Sequence, residues 1–162
     1  MSSDLAHADL RLQSLFLSAI ANCGTIALQE IFDLDPVSIR VKIDGGDEKT
    51  LQTVNFCVAN SRYFGGGMMI APDAKLNDGL LDIVNIGDIG AFKIIRNAHT
   101  LYRGTHHQLR EVDGLLARKI EVSGLNSTDD IRIETDGELP GKLPATYEIV
   151  PNAIRVRVPN SR

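Results

Sequence analysis

Positive charge is scarce in this sequence. Lysine and arginine number 17 against 21 aspartates and glutamates, for a net charge of -4. That balance argues against a dedicated nucleic-acid binder, whose footprint is a basic stripe. No polybasic cluster of the kind that anchors a protein to anionic lipid is expected either. No run of 18 apolar residues occurs, so no transmembrane helix is expected. The N-terminus lacks a basic stretch followed by an apolar one, so no secretory signal is expected. Cysteine is limited to Cys23 and Cys57, both within largely apolar stretches. This predicts two buried thiols rather than a disulfide or a redox pair, and a cytoplasmic protein. The Asn126-Ser127-Thr128 sequon would matter only in a secreted chain. Tryptophan is absent and aromatics amount to 5%, yet 43% hydrophobic and 23% charged residues are ordinary for a folded protein. A chain of 162 residues is long enough for one self-supporting core, with an extra element at one end.

The hydrophobic period changes near Pro36. From Leu10 to Phe32 most apolar residues lie three to five apart, which predicts an amphipathic helix broken or kinked at Gly24. Asp33, Asp35 and Pro36 end it. Such a helix must dock on something, as a linker, a crossover or a dimer contact. After Pro36, Val37, Ile39, Val41 and Ile43 alternate with Ser38, Arg40 and Lys42, the pattern of a strand with one buried face. Asp44-Gly45-Gly46-Asp47 predicts a turn, and Leu51 to Ala59 the returning strand. Leu80 to Ile86 reads as a buried strand. Ala91 to Tyr102 has helical spacing, with Phe92, Ile95, Ala98 and Leu101 on one side. Further strands are expected over Lys119 to Val122, Ile131 to Thr135, Thr146 to Val150 and Ile154 to Val158. Short strands joined by Gly, Pro, Asn and Asp connections predict a mainly β protein, an antiparallel sandwich or barrel.

Several constellations could carry chemistry. Gly45-Gly46-Asp47 resembles part of a phosphate loop, but it lies between two alternating strands and continues into Glu48, so a plain hairpin turn is expected. Gly65-Gly66-Gly67 is followed by Met68-Met69 and not by the Lys-Ser or Lys-Thr of a P-loop, which points to a bulge or close backbone crossing. Asp78-Gly79 is a tight turn before a strand. Its carboxylate and neighbouring carbonyls could hold a hard cation, or form an Asx turn without metal. Asp136-Gly137-Glu138 ends a strand and presents a carboxylate where a base could act at a cleft. His106-His107 has no further Cys or His at zinc-finger spacing. No nucleophile elbow and no HExxH helix occur.

In combination these strings are more specific. Val58-Ala59-Asn60-Ser61-Arg62-Tyr63-Phe64-Gly65-Gly66-Gly67, Ala71-Pro72-Asp73-Ala74 and Asn77-Asp78-Gly79-Leu80-Leu81-Asp82 follow in order. Asp136-Gly137-Glu138, Leu143-Pro144-Ala145 and a closing Val-Pro come after them. From about Val37 to Pro159 the chain resembles the C-terminal domain of the bacterial diacylglycerol kinase-like lipid kinases, within the superfamily of diacylglycerol and sphingosine kinases. The resemblance implies a β-sandwich over residues 37–162, with residues 1–36 as a helical segment leading into it. It implies an ATP-dependent enzyme acting on a lipid hydroxyl at a membrane surface, in the cytoplasm or peripheral to the membrane. Glu138 matches the proton acceptor for that hydroxyl. Asp78, with the main-chain carbonyls of Lys75 and Leu80, matches a structural Mg2+ site. The family's Gly-Gly-Asp-Gly-Thr nucleotide motif is missing, since Gly45 to Asp47 falls inside the sandwich. The chain therefore resembles half an enzyme, inactive alone, with ATP bound mainly by an absent N-terminal domain. The alternative is a standalone, non-catalytic sandwich that binds lipid or a partner protein. A homodimer is compatible with either.

Overall fold

The computed structural model describes residues 35–126, 130–155 and 157. The helix expected over Leu10 to Phe32, the Cys23 thiol, and Ser127 and Thr128 of the sequon lie outside the described residues.

Alternation builds the first strand as expected. In β1 (Val37–Ile43) the side chains of Ile39 and Val41 are buried. A turn returns the chain as β2 (Glu48–Thr53), followed by β3 (Asn55–Ala59), β4 (Leu81–Ile86) and helix α1 (Ala91–Arg103). A short 3-10 turn over His106–Gln108 leads to β5 (Val112–Ala117), β6 (Lys119–Gly124), β7 (Arg132–Thr135), β8 (Glu138–Lys142) and β9 (Ala145–Glu148). The strands form an antiparallel four-stranded sheet in the order β2-β1-β6-β9 and an antiparallel three-stranded sheet in the order β3-β4-β5. β7 and β8 make a separate hairpin.

Ile39, Val41, Ile120 and Val122 of the first sheet pack in one buried cluster with Ile83 and Ala117 of the second. The two sheets therefore face each other across a shared core, and the fold is a mainly β, antiparallel sandwich. A second cluster covers the opposite face of the three-stranded sheet. There Ala59, Val84 and Val112 pack against Ile70, Ala71 and Ala74 of the loop after β3, with Leu101 of α1 and Leu109 alongside. Ile83 and Val84 are thus both buried, on opposite faces of β4, which explains its nearly unbroken apolar run.

Four expectations need correction. The strand from Leu51 to Ala59 breaks at Val54, whose N–H donates to the Ile86 carbonyl at 2.8 Å as the chain leaves one sheet for the other. The strand expected at Thr146 to Val150 runs from Ala145 to Glu148. Near the end of the chain, residues 153–155 form no strand and Ile154 is 81% exposed; alternation needs a sheet face to bury it, and none of the described residues provides one (Val156 and Val158 lie outside the described residues). Helix α1 forms as expected, but Phe92, Ile95 and Ala98 face outward, and only Leu101 of that side joins the core region. Cys57 is a half-buried free thiol, and burial pushes its pKa up.

Candidate functional site

The loop between β3 and β4 is pinned at two points. Ala71 and Ala74 are buried in the second core, and the Ala74 N–H donates to the Ala71 carbonyl at 3.0 Å. The Arg62 Nε donates to the Ala74 carbonyl at 3.1 Å. Asp73 and Lys75 are both exposed beside these anchors. Further on, Gly79 takes a φ of +71°, which favours glycine, and the Leu80 N–H donates to Asp78 Oδ1 at 3.0 Å. The Asx turn foreseen at Asp78 is present, and it aims the chain into β4.

An open pocket of about 470 Å3 gathers Asp73, Lys75, Asp78, Asp82 and His107 over the outer face of β4 and β5. Two of the predicted metal-site residues, Lys75 and Asp78, are thereby brought together; Leu80 is half-buried and outside the lining. Asp82 Oδ2 and His107 Nε2 are buried atoms with no hydrogen-bond partner. Burial raises the pKa of Asp82, and the charges of Asp78 and Asp73 raise it further, against the pull of His107 and Lys75. His106 is not directed to the same end. Only 3% exposed, it donates from Nε2 to the Ile70 carbonyl at 2.9 Å, and its ring lies 4.3 Å from that of His107. Burial, with His107 second, lowers its pKa, while the Ile70 carbonyl opposes the shift.

Glu138 stands elsewhere, at the tip of the β7–β8 hairpin. Thr135 pairs with Glu138 across Asp136 and Gly137, both at positive φ (51° and 85°). That is the two-residue turn whose twist suits a hairpin. The register slips between Ile133 and Thr135, so β8 carries an extra residue around Leu139 and Pro140. The other end of the hairpin is tied down: Ile131 and Leu143 pack against the sandwich core, and the Leu143 N–H donates to the Ile131 carbonyl at 2.9 Å. Glu138 is exposed and is not part of the pocket lining.

The two glycine strings are structural. Asp44 and Gly45 both have positive φ, and the Gly46 N–H donates to the Ile43 carbonyl at 2.8 Å, so Gly45-Gly46-Asp47 belongs to a hairpin turn. Gly65 to Gly67 close a tight loop in which Phe64 and Met68 exchange two backbone hydrogen bonds, 3.0 and 3.1 Å long.

A family model described as "YegS C-terminal NAD kinase beta sandwich-like domain" matches residues 6–158. The chain belongs to this family. A diacylglycerol kinase of Mycobacterium tuberculosis is 33% identical over 132 residues, covering 82% of this chain and 41% of that protein. One from Bacillus subtilis is 28% identical over 131 residues, covering 80% and 41%. The crystal structure of a diacylglycerol kinase from Bacillus anthracis superposes with a TM-score of 0.58 at 22% identity, over 78% of this chain and 42% of that one. The last likeness is one of fold. The YegS-type chain described here thus spans about two fifths of the length of the curated relatives it matches.

The Mg2+ implied by the family resemblance can be tested against this domain's own atoms. Asp78 spends only Oδ1 on its turn. Among the described residues no three His, Cys, Asp or Glu side chains converge on a point. A cation here must therefore rely on main-chain oxygens and water beside one carboxylate. That is the donor set of Asp78 with the carbonyls of Lys75 and Leu80, and it suits a hard ion that keeps several waters. The unpartnered Asp82 oxygen adds a negative atom to the same pocket. The residues fit.

Asp82 and His107 were given no role from sequence. The one available signal was a carboxylate inside the apolar run Leu81–Ile86, where a charge is costly without a partner.

Proposed function

We propose that this chain is the C-terminal part of an ATP-dependent lipid kinase, which transfers the γ-phosphoryl group to a hydroxyl of a diacylglycerol-like lipid at the cytoplasmic face of a membrane. Membership of the family and relatives named diacylglycerol kinase support the reaction class. The observation that carries the mechanism is Glu138, an exposed carboxylate without an ion-pair partner among the described residues, presented at a hairpin tip. As the lipid oxygen bonds to the γ-phosphorus, the bond from that phosphorus to the departing ADP oxygen breaks. The hydroxyl proton passes to the Glu138 carboxylate, as the base of a phosphoryl transfer. ATP is held mainly by a domain outside these 162 residues, so this chain alone is inactive. Asp78 and the carbonyls of Lys75 and Leu80 would hold Mg2+. When bound, the ion offsets the crowded charge of Asp73, Asp78 and Asp82 and ties down the loop that feeds β4.

The test is ATP-dependent phosphorylation of diacylglycerol by the full-length protein and by its Glu138→Gln form. Loss of a general base lowers kcat by roughly two to four orders of magnitude. Equal rates would defeat the assignment of Glu138. Turnover by the 162-residue chain alone would defeat the half-enzyme reading.

A further inference from the structure

Helix α1 turns Phe92, Ile95, Ala98 and Tyr102 away from the other described residues. None of its 13 residues is buried. Phe92 is 76% exposed, Tyr102 57% and Ile95 39%. At about 100° per residue, the positions Ala98, Tyr102, Ile95, His99, Phe92, Arg103 and Arg96 fall in that order around one continuous arc of roughly 160°. Apolar groups fill one flank and the centre, and the two arginines fill the other flank. The rest of the helix does the anchoring. Lys93 Nζ contacts both oxygens of Glu111 at 2.8 and 2.7 Å. Near the C-terminus the Met69 N–H donates to the Leu101 carbonyl at 2.9 Å. Gly104 ends the helix at a φ of +66°, where a Cβ would meet Met69 Sδ at 2.6 Å. The helix is thus held at both ends with its outer arc free of the described residues.

The charge on this element is one-sided. No acidic residue occurs between Asp88 and Glu111, although the chain carries a net charge of -4. Glu111 is engaged by Lys93, with Arg110 at 3.8 Å, which leaves Asp88 as the nearest exposed acid in sequence. Arg96 and Arg103 have no acidic partner among the described residues. Exposed aromatic and aliphatic groups beside unpaired arginines, on a helix fixed parallel to the surface by its opposite side, match the chemistry of a membrane interface. Phe92, Ile95 and Tyr102 would sit among the upper acyl chains, with the guanidinium groups at phosphate level.

We propose that the outer arc of α1 docks this domain on an anionic lipid bilayer. The inference rests on the lipid-kinase reading for the kind of partner it selects, and it supplies that reading with a membrane-facing side. The basic groups are spaced along a helix face and not along the sequence, which is why no polybasic run announces them.

The test is co-sedimentation of the 162-residue chain with phosphatidylcholine vesicles, with and without phosphatidylglycerol. Binding is expected to the anionic vesicles alone and to weaken as salt shortens the screening length. The double substitution Arg96→Gln/Arg103→Gln should reduce vesicle affinity by about fivefold for each charge removed. Phe92→Ser should reduce it by roughly tenfold, and Phe92→Leu should restore most of the loss. These side chains are exposed, so thermal midpoints should match the parent and separate a docking defect from misfolding. Absence of binding to anionic vesicles overturns the proposal, as does equal binding by the variants. A dimer in solution that Phe92→Ser dissolves would also overturn it, by assigning the face to a second copy. The measurement involves no ATP and no turnover, so its outcome is independent of the Glu138→Gln assay.

Discussion

At the scale of single residues, two groups shielded from water respond to pH in opposite directions. Burial holds the His106 pKa below 6.5, its ordinary value. The folded state therefore binds fewer protons than the unfolded chain, and the contribution is fully present above pH 6.5 and lost as pH falls below it. The thermal midpoint should drop as pH falls below about 6.5, and His106→Gln should flatten that dependence while lowering the midpoint at neutral pH. An unchanged slope would remove His106 as the cause. Asp82 has the reverse sign. Its raised pKa favours the folded state at acid pH and penalises it once the carboxyl ionises, in a window that begins near the ordinary carboxylate value of 3.8. The two effects have opposite slopes, so the His106→Gln variant isolates the one that sets in below pH 6.5. The turns that carry Asp78 and Glu138 were legible in the sequence because turn chemistry is local: each residue adjoins a glycine at positive φ. Asp82 and His107 were not, because their pocket exists only where the 71–78 loop and the 3-10 turn meet over β4 and β5.

At the scale of elements, one turn residue binds two hairpins. Asp44 sits in the β1–β2 turn, yet its Oδ1 accepts the N–H groups of Arg118 and Lys119 at 2.9 and 2.8 Å, where β5 passes into β6. Asp44→Ala removes both bonds and puts a Cβ-bearing residue without side-chain compensation at a φ of 48°. It should cost about 1–3 kcal/mol in a denaturant titration. Asp44→Asn keeps the acceptor and the tolerance for that φ, and should recover most of the loss. The strands that alternation foretold are those with a clear inner face, β1 and β6. β5 was missed because Asp113 and Gly114 interrupt its apolar positions, and β8 because every one of its residues is exposed and two of them are Pro140 and Gly141. The outward turn of α1 could not be read at all. Periodicity identifies a face, but only the surrounding structure decides whether that face has anything to lie against.

At the scale of the whole molecule, stability is concentrated where two layers share one strand. Ile83, 1% exposed, fills the space between the sheets, and its neighbour Val84 fills the core on the other side. Ile83→Ala should destabilise the domain by about 2–5 kcal/mol. Ile154→Ala, at an uncovered position, should stay within about 0.5 kcal/mol; equal effects in parallel denaturant titrations would contradict the sandwich core. The irregular β8 strand bears on how molecules meet one another. An exposed two-stranded ribbon offers main-chain donors and acceptors to any extended chain that drifts past. At Pro140, however, the ring nitrogen has no hydrogen to give, and the extra residue beside it throws the spacing of the remaining groups out of step. The ribbon that lifts Glu138 into solvent is thereby a poor template for runaway strand addition.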